Sequence, residues 1–446
     1  MSKFRLVAPF MIAMLVLTAC PASDGGGDGG SPGAGGGGET AEGDGTIIVT
    51  SLWGGAEEAA FETVLAAFEE DSGITIEYEP NRTEYESVIR QRINGGNPPD
   101  VAIIPSVGFL RQLAREGSLI PLPALGIEVA DIESQFPAGA LNVGNVDDEQ
   151  YAFMVKMNSK AAIFYNPERF EELGVTAPAE DWEDLVALSD EITAAGSTPW
   201  SVGASSPDSD WTLTDWFEIT YLKMHGTEAY DTLFSPEGNW TDPTVQETLD
   251  RLFGELLTEE NIVGGADGAL ATAFVDAIAQ VFGTSASAEL YCCGGFVGGI
   301  ATGEDVNPEL AGQEGTAIDW FPFPTVDGEG EGLVTYGGDQ MAALVNDTDV
   351  QEFMAYMLGQ EAAETWAAEG TIIVPNVNVA ADVYPTVLVQ NEAEQINSAE
   401  AVRFDGADLL PGGSELGELL QSVLRGEDAA PLLETFQADV AAAWEE

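Results

Sequence analysis

Between Thr46 and Leu113 the chain repeatedly pairs a short β-branched or apolar run with a helical apolar face. That alternation restricts it to folds built on a parallel sheet covered by its crossover helices. Thr46–Thr50, Ile74–Tyr78 and Asp100–Ile104 are the strand segments. Phe61, Val64, Leu65 and Phe68 keep the i, i+3, i+4, i+7 spacing of one helix face. Tyr85, Val88 and Ile89 mark a second helix, and Phe109, Leu110 and Leu113 a third. In such a sheet ligands bind beyond the carboxyl ends of the strands, here near Ser51–Gly55 and Pro105–Gly108.

A second compositional unit follows Tyr151, as expected for a chain of 446 residues. Ala161–Tyr165, Trp200–Val202 and Ala317–Phe323 read as strands, and Trp182, Leu185, Val186 and Ser189 share a helix face. Residues 208–224 are rich in aromatics, with Trp211, Trp216, Phe217 and Tyr221. Val350, Phe353, Met354, Met357 and Leu358 predict a later helix, and Leu432, Leu433, Phe436, Val440 and Trp444 a last one.

Residues 1–19 read as a signal peptide: Lys3 and Arg5 precede an apolar stretch, Leu6–Leu17, of 12 residues, too short to span a bilayer. Leu17-Thr18-Ala19-Cys20 resembles the bacterial lipobox, which predicts a lipid on Cys20 and a body held outside the cytoplasm at the membrane. Residues 21–45 contain 12 glycines and no large apolar side chain. They read, with Cys20, as a flexible tether reaching roughly 25–30 Å.

Charge removes whole classes of function. Lys+Arg 14 against Asp+Glu 77 gives 14 − 77 = −63, so no basic surface for a nucleic-acid backbone can be assembled. The acidity fits either a solubility device or a high-salt habitat. Of the mature lysines only Lys156, Lys160 and Lys223 remain, and His225 is the single histidine, which argues against His-based relays and zinc sites. Cys292 and Cys293 are adjacent; Cα atoms about 3.8 Å apart lie below the usual disulfide range, so free buried thiols are expected.

Several motifs carry a resemblance. Gly95-Gly96-Asn97-Pro98-Pro99-Asp100-Val101 precedes the third strand; Phe164–Phe170 with Leu173-Gly174 and Asp181-Trp182-Glu183-Asp184-Leu185 follow. Trp211–Glu218, Trp240-Thr241-Asp242, Gly294–Gly299 and Asp319–Pro324 complete the set. Together they resemble the extracellular solute-binding proteins of carbohydrate ABC transporters, the maltose-binding-protein-like family, and most closely its α-glucoside subgroup. The resemblance covers most of residues 46–446. It implies an α/β, two-lobed periplasmic-binding-protein-like fold with a ligand cleft between lobes joined by hinge crossings near 155–159, 333–337 and 390–395. Lobe 1 would hold 46–156 and 336–390, and lobe 2 would hold 157–335 and 391–446. It also implies a carbohydrate ligand, permease partners, a monomer, and neither catalysis nor a cofactor or metal.

Sugars present apolar faces rimmed by hydroxyls, so their sites need flat aromatic platforms and side chains able to bond several hydroxyls. Trp53, Trp211, Trp216 and Phe296 are the platform candidates, although each would read the same way as core. Gly54 would let backbone approach the ligand. Polar candidates are Ser106, Lys156, Asn158, Ser159 and Asp210, with Gly337, Gly338 and Asp339 at the second crossing; Arg82 is a further possibility. An extracellular glycoside hydrolase, a sensor, or a receptor for an osmolyte or polyamine remain alternatives. In so acidic a chain, carboxylate pairs suited to hydrolysis carry no information. Asp327–Gly332 starts like a calcium loop but has Gly338 where the closing Glu is required.

Overall fold

The computed structural model describes residues 40–81, 85–205, 209–304, 306–411 and 414–444. The expected signal segment, Cys20 and Arg82 lie outside them. In chain order the elements used below are β1 (Thr46–Ser51), α1 (Ala56–Ser72), β2 (Thr75–Pro80), α2 (Tyr85–Asn94), β3 (Val101–Ile104) and α3 (Val107–Arg115). Next come β4 (Ala152–Ser159), β5 (Ala162–Tyr165), α4 (Trp182–Ala194), α5 (Trp211–Leu233), α6 (Phe274–Phe282), β6 (Leu290–Cys292) and β7 (Asp319–Pro322). The chain ends with β8 (Leu333–Ala343), α7 (Thr348–Met357), α8 (Gln360–Glu369), α9 (Val387–Asn397), β9 (Ala401–Phe404) and α10 (Ala429–Trp444).

The expected βαβαβα start is present, with β1 parallel to both β2 and β3. A six-stranded sheet runs β9-β8-β3-β1-β2, and β4 also pairs with β8. A second sheet of three antiparallel strands runs β6-β5-β7. These two sheets are the cores of a two-lobed α/β fold. The α1 face predicted from spacing is buried, with Phe61 and Val64 fully enclosed. Phe61 meets Trp53 and Trp366 at ring distances of 5.0 Å each, and each such buried side chain contributes about 1.5–3 kcal/mol.

Three sequence expectations are corrected. Trp200–Val202 is not a strand; Trp200 makes only isolated bridges to Ile262 and Leu290. The tether does not run free to residue 45. Ala41 bridges Asp347, Gly43 N–H donates to Thr348 Oγ1 at 2.9 Å, and Gly45 N–H donates to Asp349 Oδ2 at 2.8 Å. Glycine permits this approach, since a Cβ on Gly43 would lie 1.9 Å from Asp349 Cγ. Finally, Cys292 and Cys293 form a disulfide rather than two thiols. The peptide between them is cis and their Cα atoms are 3.3 Å apart, whereas the expectation assumed the trans spacing.

The chain leaves the large sheet for the small one between Ser159 and Ala162, and returns between Pro322 and Leu333. After β9 it continues at Asp405, whose N–H donates to the Tyr336 carbonyl at 2.8 Å. These passages lie against one another, since Lys160 N–H also donates to the β8 carbonyl of Thr335 at 2.8 Å.

Candidate functional site

One group of predicted residues gathers at the carboxyl end of β1. Trp53 follows β1, and its own N–H donates to Ser51 Oγ at 3.1 Å, fixing the turn into Gly54. Its indole Nε1–H donates to Asp339 Oδ2 at 2.6 Å. Asp339 on β8 faces Lys156 on β4 across the ladder, with Lys156 Nζ 3.5 Å from its carboxylate and 2.5 Å from Glu57 Oε1. Burial alone would lower the Lys156 ammonium, but Asp339 and Glu57 outweigh it and hold the group above its ordinary value. Gly337 and Gly338 pair with Asn158 and Met157 of β4. A Cβ on Gly338 would fall 1.9 Å from the Lys156 carbonyl oxygen, so only glycine fits there.

A second group surrounds Trp211 at the start of α5. Its ring lies 5.3 Å from Phe274 and 5.9 Å from Phe296, both edge to face. Phe296 is half-buried, and its ring covers Gly294. Beside this aromatic wall is a cavity of about 230 Å³ lined by Asp210, Trp211, Thr214, Asp405, Ala407, Asp408 and Gly417. Lys160, on the passage between the sheets, sits under it. Its ammonium is 2.6 Å from Asp215 Oδ1, bonded to Asp405, and 5.3 Å from the centre of the Trp211 ring.

The electrostatics of this group are unusual. Asp215, Glu218, Asp405 and Asp408 gather around the single ammonium of Lys160. Glu218 accepts the Gly406 and Ala407 amides at 2.7 and 3.0 Å and the Tyr230 hydroxyl at 3.0 Å. Burial pushes the Asp215 carboxyl up to about 8, with Asp405 and Asp408 adding to the rise and Lys160 opposing it. Burial and then Asp405 raise Asp408 to about 7; Lys160 opposes them, and Asp339 adds to the rise. That last influence links the two groups electrostatically. Burial works against the Lys160 charge, but Asp215 and Asp405 hold it well above its ordinary value.

The structure thus brings together Trp53, Lys156, Asp339 and the β8 glycines, and separately Asp210, Trp211 and Phe296. Trp53 is 2% exposed, with its indole N–H edge engaged by Asp339. Trp216 is 1% exposed, packed on Trp200 and Phe323 at 5.0 and 6.0 Å, and is core rather than platform. Ser106 caps α3, accepting the Phe109 amide at 3.2 Å. Ser159 Oγ bonds Gln395 Oε1 at 2.6 Å. Asp327 pairs with Arg251 at 2.7 Å, which accounts for the calcium-loop lookalike. None of the predicted residues lines a cavity of about 950 Å³ that flanks the β7–β8 passage.

Sequence reasoning missed Lys160, Phe274, Asp215, Asp405 and Asp408. The scarcity of lysine that singled out Lys156 applied equally to Lys160. No local signal marks Asp405 or Asp408 among 77 acids.

Comparison with known proteins agrees with this architecture. Residues 53–364 match the profile of the family described as bacterial extracellular solute-binding protein. The osmoprotective compounds-binding protein GgtB of Synechocystis sp. is 29% identical over 98% of this chain and 99% of its own. The alpha-glucosides-binding periplasmic protein AglE of Rhizobium meliloti is 31% identical over 82% of this chain and 80% of its own. Among solved structures, the solute receptor AcbH, described as exclusive for β-D-galactopyranose, superposes with a TM-score of 0.72 at 18% identity, covering 90% of this chain and 99% of its own.

Proposed function

The chain belongs to the bacterial extracellular solute-binding proteins, and from that membership we propose that it captures a neutral sugar of the α-glucoside class at the Trp211 cavity. It hands the sugar to the permease of an ABC importer and performs no chemistry on it. The observation that carries this reading is the pairing of an aromatic wall, Trp211 with Phe274 and Phe296, with the carboxylates of Asp210, Asp405 and Asp408 around a cavity of about 230 Å³. A ring stacks its C–H face on the indole while the carboxylates accept its hydroxyls. Lys156, Asn158, Gly337, Gly338 and Asp339 extend the polar surface from the β1 side, with Trp53, Gly54 and Ser106 shaping it. Capture closes the lobes about the passages at 159–162, 322–333 and 404–405, a hinge motion. The body acts as a monomer, held to the outer face of the membrane through a lipid on Cys20 after removal of residues 1–19.

One relative supports the choice of ligand class, being named for alpha-glucosides, whereas another is named for osmoprotective compounds. The second name, with a cavity sized for about one ring, also favours a small polyol osmolyte as ligand. A thermal-shift panel of the mature protein separates these, using trehalose, sucrose, maltose, glycerol, sorbitol and spermidine at low and high salt. A ligand at about 100 times its dissociation constant adds about 2.7 kcal/mol of stability. A rise with a glucoside that disappears in Trp211→Ala supports the proposal. No rise with any sugar, or a rise with spermidine alone, overturns it.

A further inference from the structure

Lys160 is placed where it meets three members of the second residue group, Asp215, Asp405 and Trp211. It lies on the passage from β4 to β5, and its backbone is tied to β8 through Thr335. Its ammonium joins Asp215 of α5 to Asp405, the residue after β9, and lies against Trp211, one turn before Asp215 on the same helix. Asp405 and Trp211 are both cavity walls, although they lie far apart in the chain. The side chain reaches them lying along β8 over Gly337, where a Cβ would fall 2.9 Å from Lys160 Cε. Asp215 Oδ2 and the Tyr291 hydroxyl are buried beside this group with no hydrogen-bond partner among the described residues.

We propose that Lys160 is the positioning residue of the binding site, fixing the Trp211 ring against the Asp405 wall from the point where the chain passes between the lobes. It touches no ligand. Its charge also sets the protonation of the acids it gathers. The titratable groups facing it are Asp215, Glu218 and Tyr230 of α5, Tyr291 of β6, and Asp405 and Asp408 after β9; Asp339 of β8 faces Asp408. Removing one positive charge from this group raises the pH at which its carboxyls lose their protons.

The proposal rests on the sugar-capture reading for its affinity readout, so the decisive measurement is made without ligand. The mature protein is labelled with fluorotryptophan, the Trp211 signal is assigned with Trp211→Phe, and its fluorine NMR shift is followed against pH. In Lys160→Met the Trp211 signal moves at neutral pH, its titration step shifts to higher pH, and sugar affinity falls by about tenfold or more. A packing role alone leaves the titration step where it was. An unchanged Trp211 signal and an unchanged step in a folded Lys160→Met protein overturn the proposal, whether or not any sugar binds. Should Lys160→Met fail to fold, Gly337→Ala keeps the charge but pushes the side chain aside. The same displacement of the Trp211 signal is expected there, and its absence overturns the proposal equally.

Discussion

The indole of Trp53 donates to the carboxylate of Asp339 at 2.6 Å, joining residues 286 positions apart at the carboxyl end of β1. Both groups are buried, and the same carboxylate faces Lys156. Asp339→Ala leaves the indole N–H unpaired inside the protein and costs about 1–3 kcal/mol. Asp339→Asn keeps an acceptor for the indole while Lys156 retains Glu57, so it costs less. Urea unfolding of both variants checks the order; equal losses would show that the indole bond is not what Asp339 contributes.

Trp211→Ala removes the central ring of the aromatic wall. Binding of the preferred sugar is expected to weaken by about 2 kcal/mol, roughly 30-fold, as for a buried aromatic anchor. Trp216→Phe is expected to leave affinity within about threefold and to lower stability instead, because Trp216 is core. Calorimetric titration of both proteins distinguishes a ligand platform from a packing tryptophan.

Glu392 on α9 accepts the Ser159 amide at 2.8 Å where the chain leaves β4, and burial pushes its carboxyl up to about 8, against that bond. A carboxyl whose folded value exceeds its unfolded value binds its proton more tightly when folded. The stability it contributes is therefore full below the unfolded value near 4.3 and is lost as pH rises through about 8. Asp215 acts in the same direction, up to about 8. Unfolding free energy is expected to fall between about pH 5 and 8, by up to about 1.4 kcal/mol per pH unit for each proton released. Glu392→Gln, which cannot ionise, should flatten that slope. A slope identical to the parent's would exclude Glu392 from the effect.

Gly338→Ala places a methyl 1.9 Å from the Lys156 carbonyl oxygen, between paired strands that cannot separate without breaking the ladder. A loss of about 1–3 kcal/mol is expected. Gly299→Ala, which meets nothing within 4 Å, serves as the control and should be neutral or slightly stabilising. Thermal melts of the pair decide whether the β8 glycine is held by backbone crowding.

Much of the fold was legible because its signals are local. The α1 face of Phe61, Val64, Leu65 and Phe68 and the strands at Thr46, Ile74 and Asp100 follow from periodicity, which each segment carries by itself. Trp211 stood out as a candidate platform from its polar surroundings and from motif resemblance. Trp53 and Trp216 look alike in sequence but differ in what their rings meet, which spacing does not encode.

The sequence alone determined the alternation of elements, the acidity that excludes nucleic acid, and the family motifs that point to sugar capture. Tertiary structure decided which acids matter. Lys160, Asp215 and Asp405 meet only because β4, α5 and β9 converge at the passages between the sheets. A buried ion pair takes its energy from desolvation and distance, both properties of three-dimensional neighbours rather than of chain order.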